Sequence, residues 1–330
     1  MRFLQPLAVS LLVFCSACQC GGVTGTEDGG SGAGSGSGGG ATGGGSTGTG
    51  GGLGTGGSVG TGGNSGTGGG GGPSAEVCDG IDNDQNAIID DVDVGMDGVC
   101  DCLKIATLGY RGQWGTGDVF HNWLDGKSLS GAADLSNQTL TDALLAPFQV
   151  IVVQDVRTST MRGVGKGLGR AYSASELQAI RNWVSNGGGL MTLIGYGDSS
   201  EVTNVNAVLQ PFGMSYGTTQ ILPKTGGSTV AVSHWEVHPL ATMVMKIGVD
   251  NGYEVSGGTL VASEPMVGQY SVGRATAFNS GRVFVWGDEW LTYDSEWTQH
   301  TDYQLARFWL NSIKWLTPPN RCQVEIPLIN

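Results

Sequence analysis

Between Asp82 and Asp93 the chain reads DNDQNAIIDDVD. Oxygen-bearing side chains fall at the first, third, fifth, ninth and twelfth places of that run: Asp82, Asp84, Asn86, Asp90 and Asp93. Ile88 brings its backbone carbonyl to the seventh place, and apolar Ile89 takes the eighth. A hard cation such as calcium takes six to eight oxygens, and a chain supplies them by turning alternate residues inward. The spacing therefore predicts a calcium loop with Asp82, Asp84, Asn86, Ile88, Asp90 and Asp93 as ligands. Two features weaken it. Ala87 occupies the sixth place, where glycine makes the sharp turn. Asp93 closes the loop with a shorter reach than glutamate. The expected affinity is that of extracellular modules, on the order of 10⁻⁴–10⁻³ M. The alternative is a solvated acidic linker.

Other constellations are less specific. Asp288, Glu289, Trp290, Tyr293, Asp294, Glu296 and Trp297 follow the apolar run Arg282–Trp286. Rings and carboxylates after a strand suit a platform for a sugar or a cationic ligand. A carboxylate pair roughly 5–9.5 Å apart would also suit glycoside cleavage. In the plainer reading Trp290 and Trp297 pack the last helix and the acids face water. His234 and His238 flank Glu236 at a spacing that on a helix could hold zinc. Pro239 and the extended pattern before it put them on a strand, some 13 Å apart at about 3.3 Å per residue, so the zinc pair fails. His238 is then a loop residue, structural or lining a ligand cleft. Tyr196, Asp198 and Ser199 lie in a Gly-rich turn after an apolar run, where a sheet exposes its crest, but the GxSxG pattern of hydrolases is absent.

The surrounding chain says where these groups work. It has 330 residues and a net charge of −13, with no basic run, which argues against nucleic-acid binding. Met1-Arg2 and the apolar stretch Phe3–Phe14 fit a secretory signal. Residues 18–75, Gly with Ser and Thr, cannot bury enough apolar surface to order themselves and read as a disordered tether with a reach of roughly 40 Å. All nine Trp and all eight Tyr come later, in the part able to build a core. After export, Cys78, Cys100, Cys102 and Cys322 should pair. Four cysteines allow three connectivities. A Cys100–Cys102 ring is too tight, and Cys78–Cys100 with Cys102–Cys322 is the expected arrangement.

Apolar periodicity sets out the elements. Leu103–Leu108, Phe148–Gln154 and Leu190–Ile194 read as buried strands. Asp118–Leu124, Thr139–Leu145 and Ser200–Leu209 read as helical. Ser173 and Glu176 form a capping box for a helix that stops at Gly187-Gly188-Gly189. From Met214 to Glu289 the pattern is short β segments, with a hairpin Arg274–Asn279, Ser280-Gly281, Arg282–Trp286. A last helix from about Asp302 to Leu316 presents Leu305, Phe308, Trp309, Ile313 and Leu316 on one face. The expectation is a three-layer α/β domain over 103–317 with a β-rich extension, an acidic module at 76–102 before it and a tail at 318–330 after it.

Three resemblances sharpen this. Cys15-Ser16-Ala17-Cys18 resembles a bacterial lipobox, which implies that residues 1–17 are a lipoprotein signal peptide and that Cys18 is acylated, on several chains strong enough for stable anchoring. Glu76-Val-Cys-Asp-Gly-Ile-Asp82-Asn-Asp84 through Asp90-Asp91 is similar to the EF-hand-like metal-binding motif of secreted bacterial surface proteins, EVCDGxDNDxDGxxDD, with Asn86 and Ala87 in place of Asp-Gly. The strand, capped helix, Gly-Gly-Gly, strand order and His238-Pro239-Leu240 resemble class I glutamine amidotransferase-like domains, which implies a flavodoxin-like three-layer fold. Their cysteine nucleophile belongs in the turn Gly195–Ser199, and no cysteine stands there. The expected protein is a lipid-anchored component of the cell envelope, at the outer membrane or cell surface. It has a calcium-binding neck and a non-catalytic domain that binds a ligand, glycan or another envelope component, near Tyr196, Asp198, His238, Asp288, Glu289, Trp290 and Trp297. A hydrolase of carbohydrate or amide in the same cleft, and a purely structural envelope protein, are the alternatives. Fatty-acid labelling in a bacterial host is expected to mark the full chain and to vanish on Cys18→Ser; an unlabelled parent chain removes the anchor.

Overall fold

The computed structural model describes residues 73–109, 117–158, 168–195, 199–222, 230–264 and 270–328. Cys18, the Gly-rich stretch to residue 72, Tyr196 and Asp198 lie outside them. The first half alternates strands and helices: β1 (Ile105–Leu108), α1 (Asp118–Asp125), β2 (Ala133–Asp134), α2 (Asp142–Leu145), β3 (Val150–Val153), α3 (Ala174–Ser185), β4 (Gly189–Thr192) and α4 (Ser199–Leu209). Short strands follow: β5 (Ser215–Gln220), β6 (Val230–Val232), β7 (His234–Trp235), β8 (Ile247–Val249), β9 (Tyr253–Ser256), β10 (Thr259–Glu264), β11 (Tyr270–Phe278) and β12 (Gly281–Trp286). Helices α5 (Asp294–Gln299) and α6 (Leu305–Leu316) close the chain.

Eight strands form one mixed sheet in the order β2-β1-β3-β4-β12-β11-β10-β7. Neighbours from β2 to β12 pair in parallel, and β11, β10 and β7 extend the sheet antiparallel. The parallel strands β1, β3, β4 and β12 are mostly apolar because alternate side chains meet cover on both faces. Ile105, Val150, Val152, Met191, Phe284 and Trp286 share one core with Phe120 of α1 and Phe308 and Trp309 of α6. Ala106, Ile151, Val153, Leu190, Val283 and Val285 share the other with helices α2, α3 and α4 through Leu145, Ile180, Val184, Val205 and Val208. All five residues expected on the inner face of the last helix are buried.

Local chemistry places the helices. The Ser173 hydroxyl accepts the Glu176 amide while Glu176 accepts the Ser173 amide, closing the capping box at α3. Glu176 also accepts the Leu140 amide and the Arg170 guanidinium. Burial alone would raise its pKa, but the Arg170 hydrogen bond and the amides of Ser173 and Leu140 outweigh that and hold it at about 2. The three glycines after α3 have separate tasks. Gly187 has φ +113°, a Cβ on Gly188 would lie 2.3 Å from the Trp183 ring, and one on Gly189 would lie 2.3 Å from the Leu316 carbonyl.

The acidic module is joined to the tail. Ile89 donates to the Asn320 carbonyl and accepts from the Cys322 amide, both at 2.9 Å, as a parallel bridge. This join corrects the expected disulfides: the bonds are Cys78–Cys102 and Cys100–Cys322. The bridge sets Cys322 beside Asp90, whose carbonyl also lies 2.9 Å from the Cys100 sulfur, which leaves Cys102 to Cys78. Residues 66–330 fall within one compact unit, so the neck is not a separate body among the described residues. Among those residues no helix is long and apolar enough to cross a membrane.

Glu176→Ala leaves a partly buried guanidinium and buried amides without their acceptor, and urea unfolding at neutral pH is expected to show a loss of about 2–3 kcal/mol. Because the folded pKa is depressed, this stabilisation exists above the ordinary carboxylate range and fades as pH falls toward 2, so the mutant and parent stabilities should converge in acid.

Candidate functional site

In the neck, Glu76, Asp84 and Asp91 each offer a carboxylate oxygen, and the three atoms lie within 4.8 Å of one another. This acidic cluster could hold a metal ion. None of the three makes an ion pair among the described residues. Only Asp84 belongs to the predicted ligand set. Asp82 accepts the amides of Asn86 and Ala87, and the Asn86 carbonyl oxygen accepts the Ile88 amide, so these oxygens shape the loop. Asp90 is 6% exposed, accepts the Gly80 amide at 2.7 Å and pairs with Arg321 at 3.1 Å. Asp93 accepts the amides of Asp97 and Gly98 in the next turn. The reason for the difference is that a loop already tied to Arg321 and the tail turns Asp90 away from the turn centre. Glu76 enters in its place, accepting the amides of Asn83, Asp84 and Asp90. Its signal was its place at the head of the EVCDG segment. Ala87 carries φ +73°, the left-handed turn that its position demands.

A second polar cluster lies at the carboxyl edge of the parallel strands, where α/β sheets bind ligands. Asp155 and Arg157 follow β3, Glu201 stands in the first turn of α4 after β4, and Glu289 follows β12; all four are at most 1% exposed. Arg157 grips Asp155 through both carboxylate oxygens, one at 2.9 Å. Glu201 accepts the Gly195 amide at 3.2 Å, and Glu289 accepts the Tyr293 hydroxyl. Three carboxyls thus face one guanidinium. Burial first, then the charges of Glu289 and Asp155, push Glu201 well above the carboxylate range, against the Gly195 amide and Arg157. Burial and then Asp155 push Glu289 up to about 8, against Tyr293 and Arg157. Both upward shifts favour the protonated carboxyl, the form that a general acid or a hydrogen-bond donor to a ligand needs. The signal for Asp155 and Arg157 was a charged pair directly after an apolar strand.

Among the described residues, the predicted ligand residues His238, Asp288, Glu289, Trp290 and Trp297 do not assemble as one group. Asp288 spends both oxygens on the amides of Asp250 and Trp290; burial still drives its pKa well above the ordinary range, against those two hydrogen bonds. Trp290 packs 4.8 Å from Tyr293. Trp297 packs 5.5 Å from Trp123 and 6.0 Å from Phe120, and its indole donates to the Leu291 carbonyl, so it serves the core beneath α1. His238 is elsewhere: half-buried, it accepts the Leu240 amide and sits 5.3 Å from the Trp315 ring at the end of α6. Burial, then the nearby Arg282 charge, lower its pKa. Arg282 is the second residue of β12 and Asp288 stands six positions further on, so about 20 Å of extended chain separates the two regions.

Stability should report on the buried protons. For Glu289 the folded pKa lies above its unfolded value, so its contribution is intact below the ordinary carboxylate pKa and is lost as pH rises toward about 8. Glu289→Gln keeps an acceptor for Tyr293 and carries no charge. Denaturant unfolding between about pH 5 and 8 is expected to show a parent slope shallower in the variant by up to about 1.4 kcal/mol per pH unit. Identical slopes would mean that Glu289 is ionised in the fold.

No protein-family model matches the chain, and no curated protein matches it. Solved structures give loose overlaps. Cytoplasmic Protein STM1381 from Salmonella typhimurium LT2 is 15% identical, covering 65% of this chain and 100% of its own, with a TM-score of 0.49. Cytoplasmic Protein STM3548 from Salmonella typhimurium is 12% identical, with 66% and 100% covered and a TM-score of 0.47. A beta-galactosidase from Rahnella sp. R3 is 12% identical over 66% of this chain and 32% of its own, with a TM-score of 0.40. At TM-scores under 0.5 these overlaps assign this chain neither a family nor an activity.

Proposed function

We propose that this chain is an exported, lipid-anchored protein of the cell envelope. In this reading calcium consolidates its neck, and its glutamine amidotransferase-like α/β domain binds a glycan or another envelope component without turning it over. The observation that carries the reading is the approach of Glu76, Asp84 and Asp91 to within 4.8 Å with no cation paired to them among the described residues. Like charges held that close repel unless a counter-ion or proton joins them. Calcium suits the all-oxygen donor set, and the flexible geometry it accepts suits a loop. The Cys78–Cys102 disulfide closes this loop, and the Cys100–Cys322 disulfide and the Asp90–Arg321 pair hold it against the tail, so an ion there would stiffen the junction between tether and domain.

Two further points support binding over thiol chemistry. The four cysteines of the described residues are all in disulfides, so none of them offers a thiolate. The crest cluster sits at the edge where α/β sheets take ligands. A hydrolase is the second reading, favoured by the proton that Glu289 retains up to about pH 8; turnover of a glycan or amide substrate that disappears in Glu289→Gln would establish it.

Thermal unfolding of the full chain with about 10 mM calcium, against chelator, tests the neck. With a dissociation constant on the order of 10⁻⁴–10⁻³ M, the gain is expected to be about 1.5–3 kcal/mol. Asp84→Asn with Asp91→Asn should abolish it, and Ala87→Gly should raise stability by about 1 kcal/mol by relieving the left-handed alanine. Equal melting with and without calcium, and no heat on titration, would refute the calcium neck.

A further inference from the structure

The outer face of α6 borders a hollow of about 460 Å³, enclosed by the tail on one side and the Pro239–Thr242 turn on the other. Arg307, Asn311 and Lys314 stand at intervals of four and three along that helix and so line one stripe. Arg282 reaches in from the first residues of β12, with its guanidinium 5.3 Å from the Trp315 ring. The hollow thus gathers three cations in a chain that carries 16 Lys and Arg against 29 Asp and Glu. It lies at the amino ends of the parallel strands, away from the carboxyl cluster described above.

Arg282 and Arg307 make structural hydrogen bonds, the Lys314 ammonium makes none, and none of the three has a counter-ion among the described residues. Arg307 is 9% exposed and donates Nη1 to the Pro327 carbonyl at 2.8 Å and Nε to the Thr242 carbonyl at 3.4 Å. Arg282 donates Nη1 to the Trp315 carbonyl. Asn311 is consumed by the carbonyls of Leu240 and Thr242. Neutral carbonyls satisfy N–H groups without cancelling charge. Glu325 lines the hollow yet pairs with none of the three within 4.0 Å. Burial lowers the pKa of Arg282, a sign that its charge is poorly solvated there. Guanidinium groups present forked N–H donors that match the oxygens of a carboxylate or a phosphate, and Lys314 adds a mobile point charge.

We propose that this hollow is a binding site for a small oxyanion-bearing molecule, a carboxylate or a phosphate, held by Arg282, Arg307 and Lys314. The ligand enters between the tail and the Pro239–Thr242 turn, and its anionic group neutralises the stripe on α6. The site is independent of the calcium neck and of the carboxyl-edge cluster.

Isothermal titration of the full chain with inorganic phosphate, with glucuronate and with neutral glucose tests this. Phosphate or glucuronate is expected to bind with a dissociation constant on the order of 10⁻³ M or tighter, glucose not at all, and the affinity to fall with added salt. The preferred anion names the source, phosphate or carboxylate. The Lys314 side chain holds no hydrogen bond or ion pair among the described residues, and its carbonyl bond from Gln323 does not depend on the side chain, so Lys314→Glu should keep the parent melting temperature and weaken binding by about tenfold or more. Arg307→Lys, which retains charge but loses the fork, should weaken it less. Absence of heat with both anions, or unchanged affinity in Lys314→Glu, overturns the proposal.

Discussion

Four parallel strands covered on both faces, β1, β3, β4 and β12, set the terms for the rest of this molecule. A backbone ladder buried on both sides tolerates only apolar side chains along its length, so polar chemistry is confined to the ends of the strands and to what is attached there. The two edges are used differently. At the carboxyl edge, Asp155, Arg157, Glu201 and Glu289 are drawn inside, where charge is costly and protons are retained. At the amino edge, Arg282 leads into a hollow along α6 where cations gather beside backbone carbonyls. Because both regions are anchored to β12, one strand carries both polar ends of the domain.

Charge balance explains why the carboxyl edge stays folded. Among the described residues one guanidinium faces three carboxyls at low dielectric, and the pKa values of the two glutamates move upward, toward the neutral form. Asp155 holds the bidentate pair with Arg157, so the two glutamates carry the upward shifts. In the neck the acids Glu76, Asp84 and Asp91 crowd together while only half-buried, and backbone amides donate to the loop's carboxylates: Asp82, Glu76 and Asp93 each accept at least one.

The join between neck and tail is what makes the acidic module part of the domain. A backbone bridge from Ile89, an ion pair from Asp90 and a disulfide from Cys100 all reach the three tail residues Asn320, Arg321 and Cys322. Long-range disulfides remove the most freedom from the unfolded chain, and this one spans a sequence separation of 222.

Much of the scaffold was legible in the chain alone. IATL, VIVV and GLMT are apolar enough that only a doubly covered strand suits them, and the Ser173–Glu176 box and the α6 stripe carry their own local signals. The six-residue α5 was missed because it is short and polar, and it depends on packing against its neighbours. Ligand spacing located the acidic loop, and the tertiary structure decided which acids converge: Asp90 was diverted by Arg321, more than two hundred residues away, and Glu76 came in from outside the spaced set. The same holds for the disulfides, for the separation of His238 from Asp288, and for the union of Asp155, Arg157, Glu201 and Glu289. Local pattern records what a residue does to its own few neighbours; which charges meet across a sheet edge depends on strand order and on where the tail returns, and those are settled only when the whole core closes.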